Sequence, residues 1–246
     1  MPFAAPHGKI KPSSNKETAT KYTYLLFDAD DTLFDFNQAS LYAFGQMCLF
    51  NDIPHTEETY SLYYDINEEL WLAFDRGEVT KEFVLHERYV RFLRALGLDR
   101  DAAQCNQDYL AALGAGVFPL PHAEEVCREL VAQGHKLYIA TNAVASVQRS
   151  RLKNSVFADL FLDAFISEEA GAPKPHLAYF EHIFRRVPEI TPKNTLLIGD
   201  SLSTDMQGAN NAGLPCCWFN PAGNPRPDHL RIDHEIRDLR ELLYIV

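Results

Sequence analysis

The sequence predicts an α/β protein, a doubly wound parallel sheet core with a helical cap inserted after the first strand. Two observations carry that prediction. Short apolar runs end on small or polar residues and alternate with segments of helical spacing, the pattern of parallel strands buried on both faces. One long stretch, from about Phe36 to Val117, has helical spacing throughout and no strand-like run.

Residues 1–20 combine Pro, Ser, Thr and Lys without an apolar run. They are expected to form a flexible tail and lack the apolar stretch of a secretory signal. The core is expected over 21–36 and 118–246. Its first strand, Tyr22 to Phe27, stops at Asp28. The helical cap, 37–117, carries Tyr60, Tyr63, Tyr64, Leu70, Trp71 and Phe74 along one stretch and Phe83 to Leu96 along another. Most of these aromatics are expected to be packing residues. The core resumes with a helix over Ala123 to Gln133, with Val126, Leu130 and Val131 on one face and Gly134 as its stop. Lys136 to Ala140 reads as a strand ending at Thr141 and Asn142, and Ala164 to Ile166 as one ending at Ser167. A helix over Leu177 to Arg186 places Leu177, Phe180, Ile183 and Phe184 together. Strands then follow over Thr195 to Ile198, ending at Gly199 and Asp200, and over Pro215 to Phe219.

Composition narrows the function. The 246 residues are 46% apolar, enough for a real core, and the formal charge is −11. Such a surface repels polyanions, so a nucleic-acid polymer is excluded as a partner, because that binding needs clustered Lys and Arg. A small phosphate ester remains compatible, since one local cation and a metal outweigh a distant acidic field. Five cysteines without CxxC spacing read as reduced thiols. Nowhere do eighteen apolar residues run uninterrupted, so no membrane partner is expected. A cytoplasmic monomer or small homo-oligomer is the expectation.

The chemistry gathers at strand ends. In open α/β sheets, ligands bind outside the carboxyl ends of the strands, and Asp28, Thr141 and Asp200 all fall there. In LLFDADDTLFD the acids Asp28, Asp30 and Asp31 crowd directly behind a strand. One acid there would be an ordinary turn residue; several together repel unless a cation or shared proton compensates. Alternation along an extended segment lets Asp28 and Asp30 face one pocket. LLIGDSLSTDMQGANNAG repeats the theme with Asp200 and Asp205. Asp205 alone reads as a helix-start residue, but Asp200 with Asp28 and Asp30 suits a hard oxygen-ligand site for Mg2+. Gly208, Ala209, Ala212 and Gly213 read as small residues for close helix packing. Lys174, stiffened between Pro173 and Pro175, is the best local cation. Thr141 and Asn142 can offer a hydroxyl, an amide and backbone N–H groups to phosphate oxygens. Thr32 is expected to brace its turn.

These segments together, DADDT from Asp28, the strand-end Thr141, Lys174 and GDSLSTD, resemble the four ordered motifs of the haloacid-dehalogenase-like (HAD) phosphatase superfamily, from about Tyr22 onward. The resemblance implies a magnesium-dependent hydrolase of small phosphate monoesters. Asp28 would be the nucleophile that forms an aspartyl-phosphate, and Asp30 the acid and base. The metal would be held by Asp28, the Asp30 backbone carbonyl and Asp200, with Asp205 in support. Thr141 and Lys174 would grip the phosphoryl group, with Asn142 adjacent. Asp30 must carry a proton part of the time, and a dry capped pocket beside Asp28 is expected to favour that. Its presence favours phosphate over halide chemistry. FDADDTLFDF, NEELWLAFDRGEVT around Asn67, Trp71 and Gly77, ISEEAGAPKP and CCWFN further resemble bacterial pyrimidine 5'-nucleotidases that clear noncanonical nucleotides. Trp71 is then a candidate for stacking on a base. The alternatives are a sugar-phosphate or phosphoglycolate phosphatase, a phosphoglucomutase-like phosphotransferase, and a catalytically idle binding protein on the same scaffold.

Overall fold

The computed structural model describes residues 21–246, so the tail expected over 1–20 lies outside the described residues. Six parallel strands form one sheet in the order β3-β2-β1-β4-β5-β6. They are β1 (Tyr24–Phe27), β2 (Lys136–Thr141), β3 (Phe161–Ile166), β4 (Thr195–Gly199), β5 (Cys216–Phe219) and β6 (His234–Ile236). Period-two alternation sends Leu25, Phe27, Leu137, Ile139, Leu196 and Ile198 to one face, where α5 (Ala123–Ala132) covers them. Tyr24, Leu26, Tyr138, Ala140 and Leu197 go to the other, under α8 (Leu177–Arg186) and α9 (Gln207–Ala212). Full burial of each large apolar side chain stabilises the fold by about 1.5–3 kcal/mol. The order of the strands reverses between β1 and β4, and that switch point opens a crevice at their carboxyl ends.

Some elements differ from the sequence reading. β6 has three residues, one of them charged, and so carries no apolar run. β3 starts at Phe161, before the apolar run from Ala164, because Asp163, which meets Arg149 and Arg186 on this edge strand, interrupts its apolar letters. In α5, Val126 and Leu130 are buried, but Val131 is 38% exposed. In α8, Phe180 and Ile183 are buried and Leu177 is 46% exposed. In both helices the apolar stripe is narrower than the string of apolar letters. Gly208 is a packing glycine, since a Cβ there would meet the Phe180 ring at 2.8 Å. Gly213 instead ends α9 at a left-handed φ of 69°.

Between β1 and α5 the chain is helical: α1 (Phe36–Phe50), α2 (Glu57–Asp75), α3 (Lys81–Leu96) and α4 (Ala102–Ala115). Side chains of Asp35, Thr56, Thr80 and Asp101 cap the four N-termini. The helices bury a cluster of their own around Phe44, Met47, Tyr63, Tyr89, Phe92 and Tyr109, with Phe44 and Tyr63 ring centres 5.0 Å apart. Val147 of α6 (Ala145–Asn154) joins that cluster, which seats the helical unit beside the carboxyl end of β2. Trp71 stays outside it, edge-on to Phe74 at 5.5 Å.

Candidate active site

Asp28 follows β1 directly, and its backbone N–H still donates to Ile198 at 2.8 Å, so β1 and β4 remain zipped up to the acid. The chain then turns tightly. Leu33 and Phe34 both donate to the Ala29 carbonyl at 2.9 Å, and Asp31 adopts a left-handed φ of 56°, which Asp tolerates better than most residues. The buried Thr32 hydroxyl donates to Asp200 Oδ1 at 3.2 Å, tying this turn to the tip of β4.

After β4 comes a π-helical turn, Leu202–Met206, in which Met206 N–H reaches the Ser201 carbonyl five residues back. The turn swings Asp205 back over Gly199, where a Cβ would lie 2.7 Å from that of Asp205, so only glycine fits. Asp205 thus lies in the first turn of a helix, as its position in the sequence suggests, and is at the same time a fully buried site group. Its carboxylate accepts from Ser201 N–H at 3.1 Å.

Lys174 is the hub. It is 2% exposed, and its Nζ donates to Asp28 Oδ1 at 2.6 Å, Asp205 Oδ1 at 2.6 Å and the Ala140 carbonyl at 2.7 Å. Asn142 clamps the lysine backbone from both sides, donating to its carbonyl at 2.9 Å and accepting its N–H at 2.8 Å. The Asn142 amide, read from sequence as a phosphate donor, thus positions the Lys174 loop. The Thr141 hydroxyl accepts from Ala143 N–H at 3.1 Å, which leaves its own proton free for a ligand.

Carboxylate oxygens of Asp28, Asp200 and Asp205 lie within 4.8 Å of one another. Burial pushes the Asp28 carboxyl well above the usual carboxylate range; Lys174 opposes this, and Asp205 and Asp200 add to it. Asp200 is pushed up to about 7 by burial and then by the charges of Asp205 and Asp31. Burial works against the Lys174 ammonium, but Asp205 and Asp28 override it and raise its pKa. One ammonium does not neutralise three converging carboxylates. An all-oxygen cluster with charge left over fits a hard divalent cation such as Mg2+.

The Asp30 carboxylate stands apart from that cluster. It pairs with Arg151, which is buried in α6 with its guanidinium 4.4 Å above the Phe34 ring. The expected neighbourhood of Asp30, a dry pocket beside Asp28, is corrected by this arginine and by an Asp30 side chain that is 26% exposed. A second residue missed in the sequence is Lys81, at the start of α3. Its buried Nζ donates to the carbonyls of Asn142 at 2.7 Å and Ala143 at 3.2 Å, to Ser167 Oγ at 2.9 Å and to Glu168 at 3.1 Å. No local motif marks either residue. Arg151 sits in a polar helix and Lys81 opens an ordinary one; only the packing of the helical unit on the sheet brings them to the site.

A cavity of about 230 Å3 opens over these groups. Its floor is Asp28, Asp30, Thr141 and Lys174, and α2 supplies Asn67, Glu68, Trp71 and Asp75 as its roof. Burial pushes Asp75 up to about 6, with Lys174 opposing and Asp205 and Glu68 adding. No helix among the described residues is long and apolar enough to cross a membrane.

Comparison with known proteins agrees with this layout. A family model described as haloacid dehalogenase-like hydrolase matches residues 22–213. The chain is 37% identical to the putative HAD-hydrolase YfnB of Bacillus subtilis, over 92% of this chain and 96% of YfnB. The magnesium-bound crystal structure of YfnB superposes with a TM-score of 0.86, covering 92% of this chain and 99% of that one. Pyrimidine 5'-nucleotidase PynA of Streptococcus pneumoniae is 31% identical over 90% of this chain and 94% of its own length. Pyrimidine 5'-nucleotidase YjjG of Escherichia coli is 28% identical over 90% and 96%.

Proposed function

The chain belongs to the haloacid dehalogenase-like hydrolase family and is a phosphoric monoester hydrolase; from that premise we propose that it hydrolyses pyrimidine nucleoside 5'-monophosphates, with Asp28 as nucleophile. The observation that carries this reading is the Lys174 hub, an ammonium 2.6 Å from Asp28 beside three converging carboxylates, at the floor of a capped cavity. Lys174 orients Asp28 through Oδ1, while Oδ2 has no hydrogen bond among the described residues and is the attacking oxygen. Attack on phosphorus forms the Asp28–phosphate bond as the ester P–O bond breaks, and Asp30 gives its proton to the departing 5'-oxygen. Asp30 then takes a proton from water. That water attacks the aspartyl-phosphate, and inorganic phosphate leaves with Asp28 restored. Arg151 holds Asp30 in place between the two steps.

The Asp28, Asp200 and Asp205 carboxylates and the Asp30 backbone carbonyl would hold Mg2+, which supplies positive charge against the repulsion between a carboxylate and a phosphate dianion. The magnesium in the related YfnB crystal supports that choice of ion. The Thr141 hydroxyl donates to a phosphoryl oxygen, Lys174 places its positive charge beside the phosphoryl group, and Trp71 in the roof offers a ring face to the base. Residues 21–36 and 118–246 perform the chemistry, and 37–117 select the substrate. The names of two relatives, PynA and YjjG, support the pyrimidine assignment.

The test is phosphate release from a panel of monophosphates with Mg2+. UMP, dUMP or dTMP should lead the panel, and EDTA should silence every reaction. A panel led by sugar phosphates or phosphoglycolate would overturn the nucleotidase assignment while leaving the Asp28 chemistry standing.

A further inference from the structure

Arg88 is a buried cation with no carboxylate partner among the described residues. Its guanidinium lies 5.1 Å from the Tyr89 ring centre and 4.8 Å from that of Tyr109. Its two terminal nitrogens donate to side-chain amide oxygens, Asn67 Oδ1 at 3.0 Å and Asn106 Oδ1 at 2.7 Å. Burying a charge without a counterion is costly, so the arrangement invites the question of what the amides do.

Asn67 gives the answer. It is 4% exposed, lies on α2 and lines the cavity above Asp28 and Lys174. A guanidinium only donates, so the oxygen of the Asn67 amide must face Arg88, because a flipped amide would set N–H against N–H. The amide nitrogen is thereby turned away from Arg88. It has no hydrogen-bond partner among the described residues, and it is not among the polar atoms sealed inside the protein. Arg88 thus converts an amide that could donate or accept into one that presents donors to the cavity. One helical turn further along the same face stands Trp71.

We propose that Asn67 is a specificity-determining residue, held by Arg88 so that its amide N–H donates to a carbonyl oxygen of the substrate's pyrimidine ring. The proposal deepens the nucleotidase reading and rests on it. Glu68 and Asp75 share the roof, and as carboxylates they accept hydrogen bonds, so they do not replace this donor. Trp71 reads the face of the ring and Asn67 its edge. Arg88 is a positioning residue that acts through Asn67.

The test compares kcat/KM for UMP with that for ribose 5-phosphate, the same ester without the base. Asn67→Asp keeps an oxygen for Arg88 and removes both donors; Asn67→Leu removes donors without adding charge. In both, the UMP to ribose 5-phosphate ratio should fall about tenfold, the size expected for one neutral hydrogen bond, while ribose 5-phosphate turnover holds within about twofold. Arg88→Met, which frees the amide to rotate, should lower the same ratio, whereas a loss of cap stability alone would lower both substrates together. A ratio that survives in Asn67→Leu overturns the proposal, including the case where only Asn67→Asp responds, since that loss would come from its added charge. If the unaltered enzyme shows no preference for UMP, the nucleotidase reading fails and this proposal with it.

Discussion

Lys174 uses all three of its ammonium hydrogens inside the site, on Asp28, Asp205 and Ala140, so the two charged partners respond oppositely to substitution. Asp28→Asn removes one of three crowded carboxylates whose ionised form burial disfavours. Turnover should fall at least about a thousandfold, as for loss of a nucleophile, while the metal-free melting temperature stays level or rises. Lys174→Met leaves Asp28 and Asp205 facing each other without a cation, and removing one side of a buried pair costs about 3–5 kcal/mol. Its melting temperature should drop sharply alongside its activity. Circular dichroism melts of both proteins beside their kinetics decide the matter: equal destabilisation by the two changes would mean that Lys174 is not compensating these acids. The acids and the lysine were legible in the sequence because each closes a strand or a stiff loop. Arg151 and the clamp role of Asn142 were not, because each depends on a partner brought close only by tertiary packing.

At the scale of elements, the strand runs were readable wherever both sheet faces are buried, as in Leu25 to Phe27 and Leu196 to Ile198. They failed at the edge strands, where β6 reads His-Glu-Ile and Asp163 interrupts the apolar letters of β3. The helical unit after β1 was readable from its spacing, but its grip on the sheet was not. That grip centres on Lys81, which reaches from the start of α3 to the loop after β2 and to the short helix α7 (Ser167–Ala170) after β3. Burial lowers the pKa of Lys81 and Glu168 opposes the shift. Two carbonyls, a hydroxyl and a carboxylate converge on that one ammonium. Lys81→Met should therefore loosen α3 from the loop that carries Thr141 and Asn142, raising KM and lowering kcat together, with kcat/KM down about tenfold. Steady-state kinetics with the best substrate of the monophosphate panel measure it. A variant with kinetics unchanged would show that this contact plays no part in closing the cavity.

For the whole molecule, the crowding of acids at the switch point makes stability depend on pH in a direction opposite to that of ordinary surface carboxylates. Without metal, folded Asp28 and Asp200 keep their protons to higher pH than the unfolded chain, Asp200 up to about 7, and Asp75 up to about 6. The unfolded chain releases those protons near pH ~4. Between these limits the native state binds more protons than the unfolded one, so unfolding free energy falls as pH rises. Asp163 and Asp238 are lowered instead, and their contribution is lost only as pH falls below ~4, outside this window; His234, lowered by burial, opposes the trend inside it but is one group against three. In EDTA the melting temperature should accordingly decline from pH 5 to pH 7.5. A divalent cation reverses the trend, because it binds the ionised carboxylates and stabilises by about 2.7 kcal/mol at a hundred times its Kd. The gain in melting temperature on adding Mg2+ should be larger at pH 7.5 than at pH 5, and Asp200→Asn should lessen the decline and lose most of the gain. A Mg2+ gain of equal size at the two pH values, or one that persists undiminished in Asp200→Asn, would place the ion somewhere other than among Asp28, Asp200 and Asp205.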